Sequence, residues 1–256
     1  MIYSFILRPL FRYIYALSLS PEERFLRNAR KGNLRAVKRY LNQANPNLLY
    51  EDKNGFTALH LAAIHGNMNI VKCLIDEAKM NPDVANQTNR KYTPLGCAAL
   101  NGYFDIVRYL TQKTEADVNY QTNKTFSPLV CAIIRHHLDI VELLVEGAQA
   151  DINLQSMQVT PLMRAVVVED QQIVEYLTSQ PHIKVDLQNK EGKTALILAA
   201  SIGNYAIVKH LIKQGHANMD IRDIKSMTAL DHALENNHEK IADFLRAQHH
   251  RSTSSL

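Results

Sequence analysis

Histidine, cysteine and paired carboxylates are the side chains through which a chain like this one would hold a metal or run acid–base chemistry. Here they are thinly spread. The eleven histidines include two adjacent pairs, His136-His137 and His249-His250, with no cysteine or carboxylate at ligand spacing. Cys97 and Cys131 sit beside small alanines, where free cysteine packs as a small hydrophobe, and three cysteines make no disulfide framework. There is no phosphate loop and no Gly-x-Ser-x-Gly. No enzyme, no metal and no cofactor is predicted.

What recurs instead is a figure of packing residues. Thr57-Ala58-Leu59-His60-Leu61-Ala62-Ala63 returns from Thr93, Ser127, Thr160, Thr194 and Thr228, at intervals of 36, 34, 33, 34 and 34 residues. A hydroxyl followed by Pro or Ala is helix-start chemistry, because the oxygen caps free N–H groups and proline is tolerated in the first turn. Nine residues on, a second segment follows, Gly66 to Leu74 in the first copy, with Ile-Val and then leucine three residues later. That spacing makes one apolar stripe on a short helix. Gly66, Gly102 and Gly203 at the break suit a left-handed helix end. Each unit therefore reads as a turn and two antiparallel helices. Leu95, Leu129 and Leu162 are expected to point into the stack.

A fixed period near 34 marks a stacked repeat protein, and period and motif together resemble the ankyrin repeat over roughly residues 21–247. The resemblance implies an all-α, ankyrin-type helix-turn-helix solenoid with β-turn fingers and about seven helix pairs including caps. It also implies a structural place for His60 in the turn network, and Ala-Asp-Val-Asn-like connectors in which Asn119 and Asn153 stand where the family can be hydroxylated. The finger-tip glycine is present as Gly55 and Gly192 but replaced by Lys91, Thr125, Gln158 and Ser226, so looser turns are expected there. Repeat four, with Glu169-Asp170 at the break and Arg164 in its first helix, is the least regular.

Residues 20–50 read as a basic N-terminal capping helix pair, 51–247 as six repeats, and 248–256 as a disordered polar tail. Residues 1–50 hold nine Lys/Arg against two Asp/Glu, a net of +7, while the remaining 206 hold twenty against twenty-three, a net of −3. A basic stripe along the whole array is missing, which speaks against nucleic acid as partner. In residues 1–19, Arg8 and Arg12 argue against a membrane span or a cleaved signal. Ser4, Arg8 and Arg12 share one face of an amphipathic segment that either folds onto the end of the stack or lies on a membrane surface. A cytoplasmic monomer is expected. A bacterial effector acting inside a host cell is compatible with the short polar tail.

The partner is expected to be another protein, held as by an inhibitor, adaptor or scaffold. A peripheral membrane adaptor is the alternative. The residue before each capping hydroxyl is Phe56, Tyr92, Phe126 and Val159, and seven residues after it come Ile64, Leu100, Ile134 and Val167. In the ankyrin family both positions face the concave groove. Here they are apolar through four repeats and then become Lys193, Met227, Ser201 and Glu235. Lys53, Arg90 and Lys124 add a basic rim at the finger tips. Such a strip suits an apolar segment with acidic flanks, since aromatic residues are favoured hot spots. The other reading of the aromatics is that they stack on neighbouring fingers and stiffen the loops.

Overall fold

The computed structural model describes residues 19–85, 92–121 and 126–253. They form two compact units that divide after Asp117. The first unit holds three helix pairs: α1 (Pro21–Lys31) with α2 (Leu34–Leu41), α3 (Ala58–Ile64) with α4 (Met68–Lys72), and α5 (Pro94–Leu100) with α6 (Phe104–Lys113). The second holds four: α7 (Pro128–Ile134) and α8 (Leu138–Glu142), α9 (Pro161–Val167) and α10 (Gln171–Ser179), α11 (Ala195–Ile202) and α12 (Tyr205–Lys213), α13 (Ala229–Glu235) and α14 (Glu239–Thr253). Within each unit the first helices stack on one another, α1 on α3 on α5 and α7 on α9 on α11 on α13.

The capping hydroxyls do what their spacing suggests. Thr93 Oγ1 accepts the Gly96 N–H at 3.2 Å, Thr160 Oγ1 the Met163 N–H at 3.1 Å and Thr194 Oγ1 the Ile197 N–H at 3.3 Å. Pro94, Pro128 and Pro161 occupy the first turn. At the N-terminal pair, Ser20 and Glu23 form the reciprocal box, Glu23 N–H to Ser20 Oγ at 3.1 Å and Ser20 N–H to Glu23 Oε2 at 2.8 Å. Leu95, Leu129 and Leu162 are buried, as are Ile-Val pairs such as Ile140-Val141 and Ile173-Val174. Alanines at the same depth let the helices approach closely.

Four details differ from the expectation. First, in repeats one and three the second helix ends in a π-helical turn, Cys73–Glu77 and Leu143–Gly147. The wider turn presents Asp76 and Glu146 to the next second helix, where Tyr109 Oη donates to Asp76 Oδ1 at 2.5 Å and Tyr176 Oη to Glu146 Oε1 at 3.1 Å. Burial and then the carboxylate push both phenols well above their ordinary pKa. Second, the finger in which Ser226 replaces the glycine stays tight. Ser226 takes φ 62° and keeps the Asp223 carbonyl bond at 2.9 Å, matching Gly192 with Asn189 at 2.9 Å.

Third, the interval of 33 before Thr160 is absorbed in its finger. That finger closes as a two-residue turn in which Ser156 and Val159 exchange backbone bonds of 3.0 Å and Met157 and Gln158 both have positive φ. Fourth, α14 continues helical to Thr253, into the stretch expected to be a disordered tail. No Gly or Pro stops it, and Lys213 Nζ donates to Gln248 Oε1 at 2.7 Å. Residues 1–18 of the N-terminal segment, with Arg90, Lys91, Lys124 and Thr125, lie outside the described residues.

Candidate interaction surface

Three fingers each hang on one short acceptor side chain five residues before the capping threonine. Asp52 Oδ1 accepts from Asn54 N–H at 2.8 Å and Phe56 N–H at 3.0 Å. Asn189 Oδ1 does the same for Glu191 and Lys193, both at 2.9 Å, and Asp223 Oδ1 for Lys225 at 2.8 Å and Met227 at 3.0 Å. This recurrence of Asp and Asn was open to sequence reading, because short acceptors bond their own backbone two and four residues on. Asp223 adds a bond of 2.8 Å from its Oδ2 to His232 Nε2, with both side chains buried. Burial acts to raise the Asp223 carboxyl, but the bonds from His232 and the two N–H groups hold it below the usual carboxylate range.

The connectors form a second set of bridges. Asn119 Oδ1 accepts the Asp151 N–H at 2.9 Å, and Asn153 takes the Lys184 N–H at 2.8 Å while donating to His182 O at 2.8 Å. Asp83 and Asp186 stand at the equivalent place and accept from Asp117 and Asn218, at 3.0 Å. A side chain twenty-six residues after each of the first four caps thus accepts a backbone N–H of the following connector.

In the first unit, Phe56 and Tyr92 are half-buried, as are Ile64 and Leu100, and Lys53 is exposed. The Phe56 ring lies 5.9 Å from the His60 ring. His60 itself is wholly buried: its Nδ1 accepts from the Thr57 backbone at 3.3 Å and pairs with Thr57 Oγ1 at 2.9 Å, and its Nε2 reaches Tyr92 O at 2.8 Å. With Nδ1 accepting from a backbone N–H, Nε2 carries the proton and donates. His60 therefore ties the base of one finger to the base of the next.

In the second unit, Phe126, Val159 and Ile134 are half-buried and Val167 is 45% exposed. The Arg164 guanidinium carbon lies 5.7 Å from the Phe126 ring centroid. Burial lowers the Arg164 pKa from its ordinary value. Beside Val167, the exposed large hydrophobic residues of this unit are Met157, Ile202, Ile224 and Leu234. Met157 and Ile224 belong to fingers, and Ile202 and Leu234 to the last turns of α11 and α13. The sequence strip stops at repeat four; exposed apolar surface continues through repeats five and six at other positions, which a fixed-position count does not see.

The ankyrin-repeat family model matches three times, at residues 25–122, 115–189 and 169–254. The chain belongs to the ankyrin repeat family. The all-α solenoid of helix pairs follows from that family and from the likeness to the crystal structure of the ankyrin repeat domain of Bcl-3, a member of the IkappaB protein family. That match has a TM-score of 0.77 and 24% identity, covering 90% of this chain and 99% of the other, and shows the ankyrin fold.

Human protein phosphatase 1 regulatory subunit 27 is 36% identical over 86 residues, which are 34% of this chain and 54% of that protein. The chain thus spans about half the length of that relative. Notch-regulated ankyrin repeat-containing protein A of Danio rerio is 30% identical over 99 residues, 38% of this chain and 86% of the relative. Alpha-latrocrustotoxin-Lt1a of Latrodectus tredecimguttatus is 38% identical over 84 residues, but these are only 6% of that protein. An ankyrin array of this kind is a protein–protein interaction module.

Proposed function

We propose that this ankyrin protein is a non-enzymatic adaptor, scaffold or inhibitor that holds a partner protein on the fingers and first helices of repeats four to six. The observation that carries this reading is the set of exposed large apolar side chains, Met157, Val167, Ile202, Ile224 and Leu234, on those elements. Exposed apolar surface of this kind is unfavourable in water unless it is covered. Phe56, Tyr92, Ile64, Leu100 and the exposed Lys53 form a second, more buried contact of the same kind in the first unit. The likeness to a phosphatase regulatory subunit supports a role exerted by binding. The test is capture from cell extract by the wild-type chain and by M157D/V167D/I202D, with far-UV circular dichroism as folding control. Partners held by the first and lost by the second support the reading; equal capture by both overturns it, and loss on F56A/Y92A alone moves the contact to the first unit.

A second reading draws on the N-terminal helix pair, where Arg24, Arg30, Lys31, Arg35, Lys38 and Arg39 are exposed and, among the described residues, Lys38 alone has a carboxylate partner, Glu77 at 2.7 Å. Such a face suits the headgroups of an anionic membrane surface.

A further inference from the structure

Arg164 is the one charged side chain in α7, α9 and α11, whose other residues are apolar apart from Ser201. The same place in the other repeats holds Leu61, Cys97, Cys131, Leu198 and His232, so packing of the inner helix does not call for arginine. Arg164 is half-buried, and its Nε is both out of contact with water and without a hydrogen-bond partner. Among the described residues it makes no ion pair, and its guanidinium faces the ring of Phe126. The other buried side-chain atom without a partner among the described residues, Ser156 Oγ, lies in the same repeat. Val167 stands three residues on from Arg164, one turn along α9, and is exposed.

A partly desolvated cation with no counter-charge is costly to keep, and the cost falls when a carboxylate completes it. Arginine suits that role because its planar fork takes both oxygens of a carboxylate while its face remains on an aromatic ring. Arginine and aromatic side chains next to apolar surface are also the residues that dominate binding at interfaces. We propose that Arg164, set over the Phe126 ring, anchors a carboxylate of the partner protein, whose flanking apolar residues rest on Val167 and Ile202. This rests on the reading of the second unit as a protein-binding surface and gives that partner its chemistry: an Asp or Glu set between large apolar residues.

The test uses a phage-displayed library of random linear peptides selected on the full chain. Selected sequences are expected to carry Asp or Glu between large apolar residues. Changing that residue to its amide, or making R164Q in the protein, is each expected to weaken binding about tenfold or more, with little further loss when both are combined. A peptide with Lys in place of the acid is expected to bind R164E better than wild type. R164L, which removes an unpaired charge, is expected to unfold no earlier than wild type, so lost binding is not lost folding. Selected peptides without an acidic residue, no selected peptide at all, or acidic peptides indifferent to R164Q overturn the carboxylate anchor. In the last case, loss of binding on V167D/I202D keeps the surface and removes only the anchor, while indifference to both removes the surface as well. Self-association of the chain that R164E abolishes would give the site to a second copy and overturn the proposal.

Discussion

A histidine with no exposed surface must either be neutral or carry a partner charge, and His60 is neutral. Burial lowers its pKa to about 4, against smaller opposing effects from the carbonyls of Tyr92 and Val84 and the charge of Asp52. In the unfolded chain it titrates near its ordinary 6.5. Between those values the unfolded state binds a proton that the folded state refuses, so stability is complete above pH 6.5 and is lost as pH falls towards 4, by about 3 kcal/mol in all. The unfolding midpoint of wild type is expected to fall over that window, and H60Q, which can keep the bonds without titrating, is expected to lack that component. Equal pH profiles would refute it. Glycine is needed just as specifically at Gly203. It has φ 93°, and a Cβ there would meet the His238 ring at 2.5 Å. Left-handed strain and a forced shift of a packed ring make G203A about 2 kcal/mol less stable or worse by urea unfolding. The corresponding break in repeat four is different, because Glu169 accepts φ 56° with open water beside it and Asn204 Nδ2 donating to its Oε2 at 3.1 Å.

The helices are short, and none would be stable alone in water. The order of first helices such as α5, α7, α9 and α11 comes from a hydroxyl cap at the start, a buried leucine two residues later and a stacked neighbour. Leu162, in α9 between α7 and α11, is 1% exposed. L162A is expected to lose about 2–5 kcal/mol, the cost of a buried leucine cut back to a cavity. Because each pair of a repeat array leans mainly on its neighbours, the loss is expected to reduce cooperativity as well as midpoint. A single sharp urea transition at the wild-type midpoint would show that Leu162 is not a stacking residue. Three fingers follow the same economy of means, each organised by one side chain, Asp52, Asn189 or Asp223, and the shortened finger before Thr160 shows how a missing residue changes the product. Removing one residue turned a broad finger into a two-residue turn and left Met157 at its tip, 59% exposed.

At the scale of the molecule, charge and apolar surface are set apart along the chain. Among the described residues, the basic helix pair lies in the first unit and the exposed large apolar side chains lie almost entirely in the second. No helix among the described residues is long and apolar enough to cross a membrane. On the protein-binding reading, the full chain is expected not to sediment with vesicles of phosphatidylcholine and phosphatidylserine. Salt-sensitive sedimentation that R24E/R35E/R39E abolishes would make the basic pair a membrane contact instead.

The repeat, the caps, the left-handed glycines and the buried leucines were all legible in the sequence, because they depend on local backbone chemistry and a fixed period. The family resemblance on the Thr-x-Leu-His motif carried the fold and the binding class. Exposure was not legible. Phe56, Tyr92 and Phe126 read as an aromatic strip in sequence, and each is half-buried in the structure. Nor could the sequence show that Tyr109 would find Asp76, or that Arg164 would lie over the Phe126 ring with no carboxylate partner among the described residues. Local chemistry is written in neighbours along the chain; burial and the lack of a counter-charge are decided by neighbours in space.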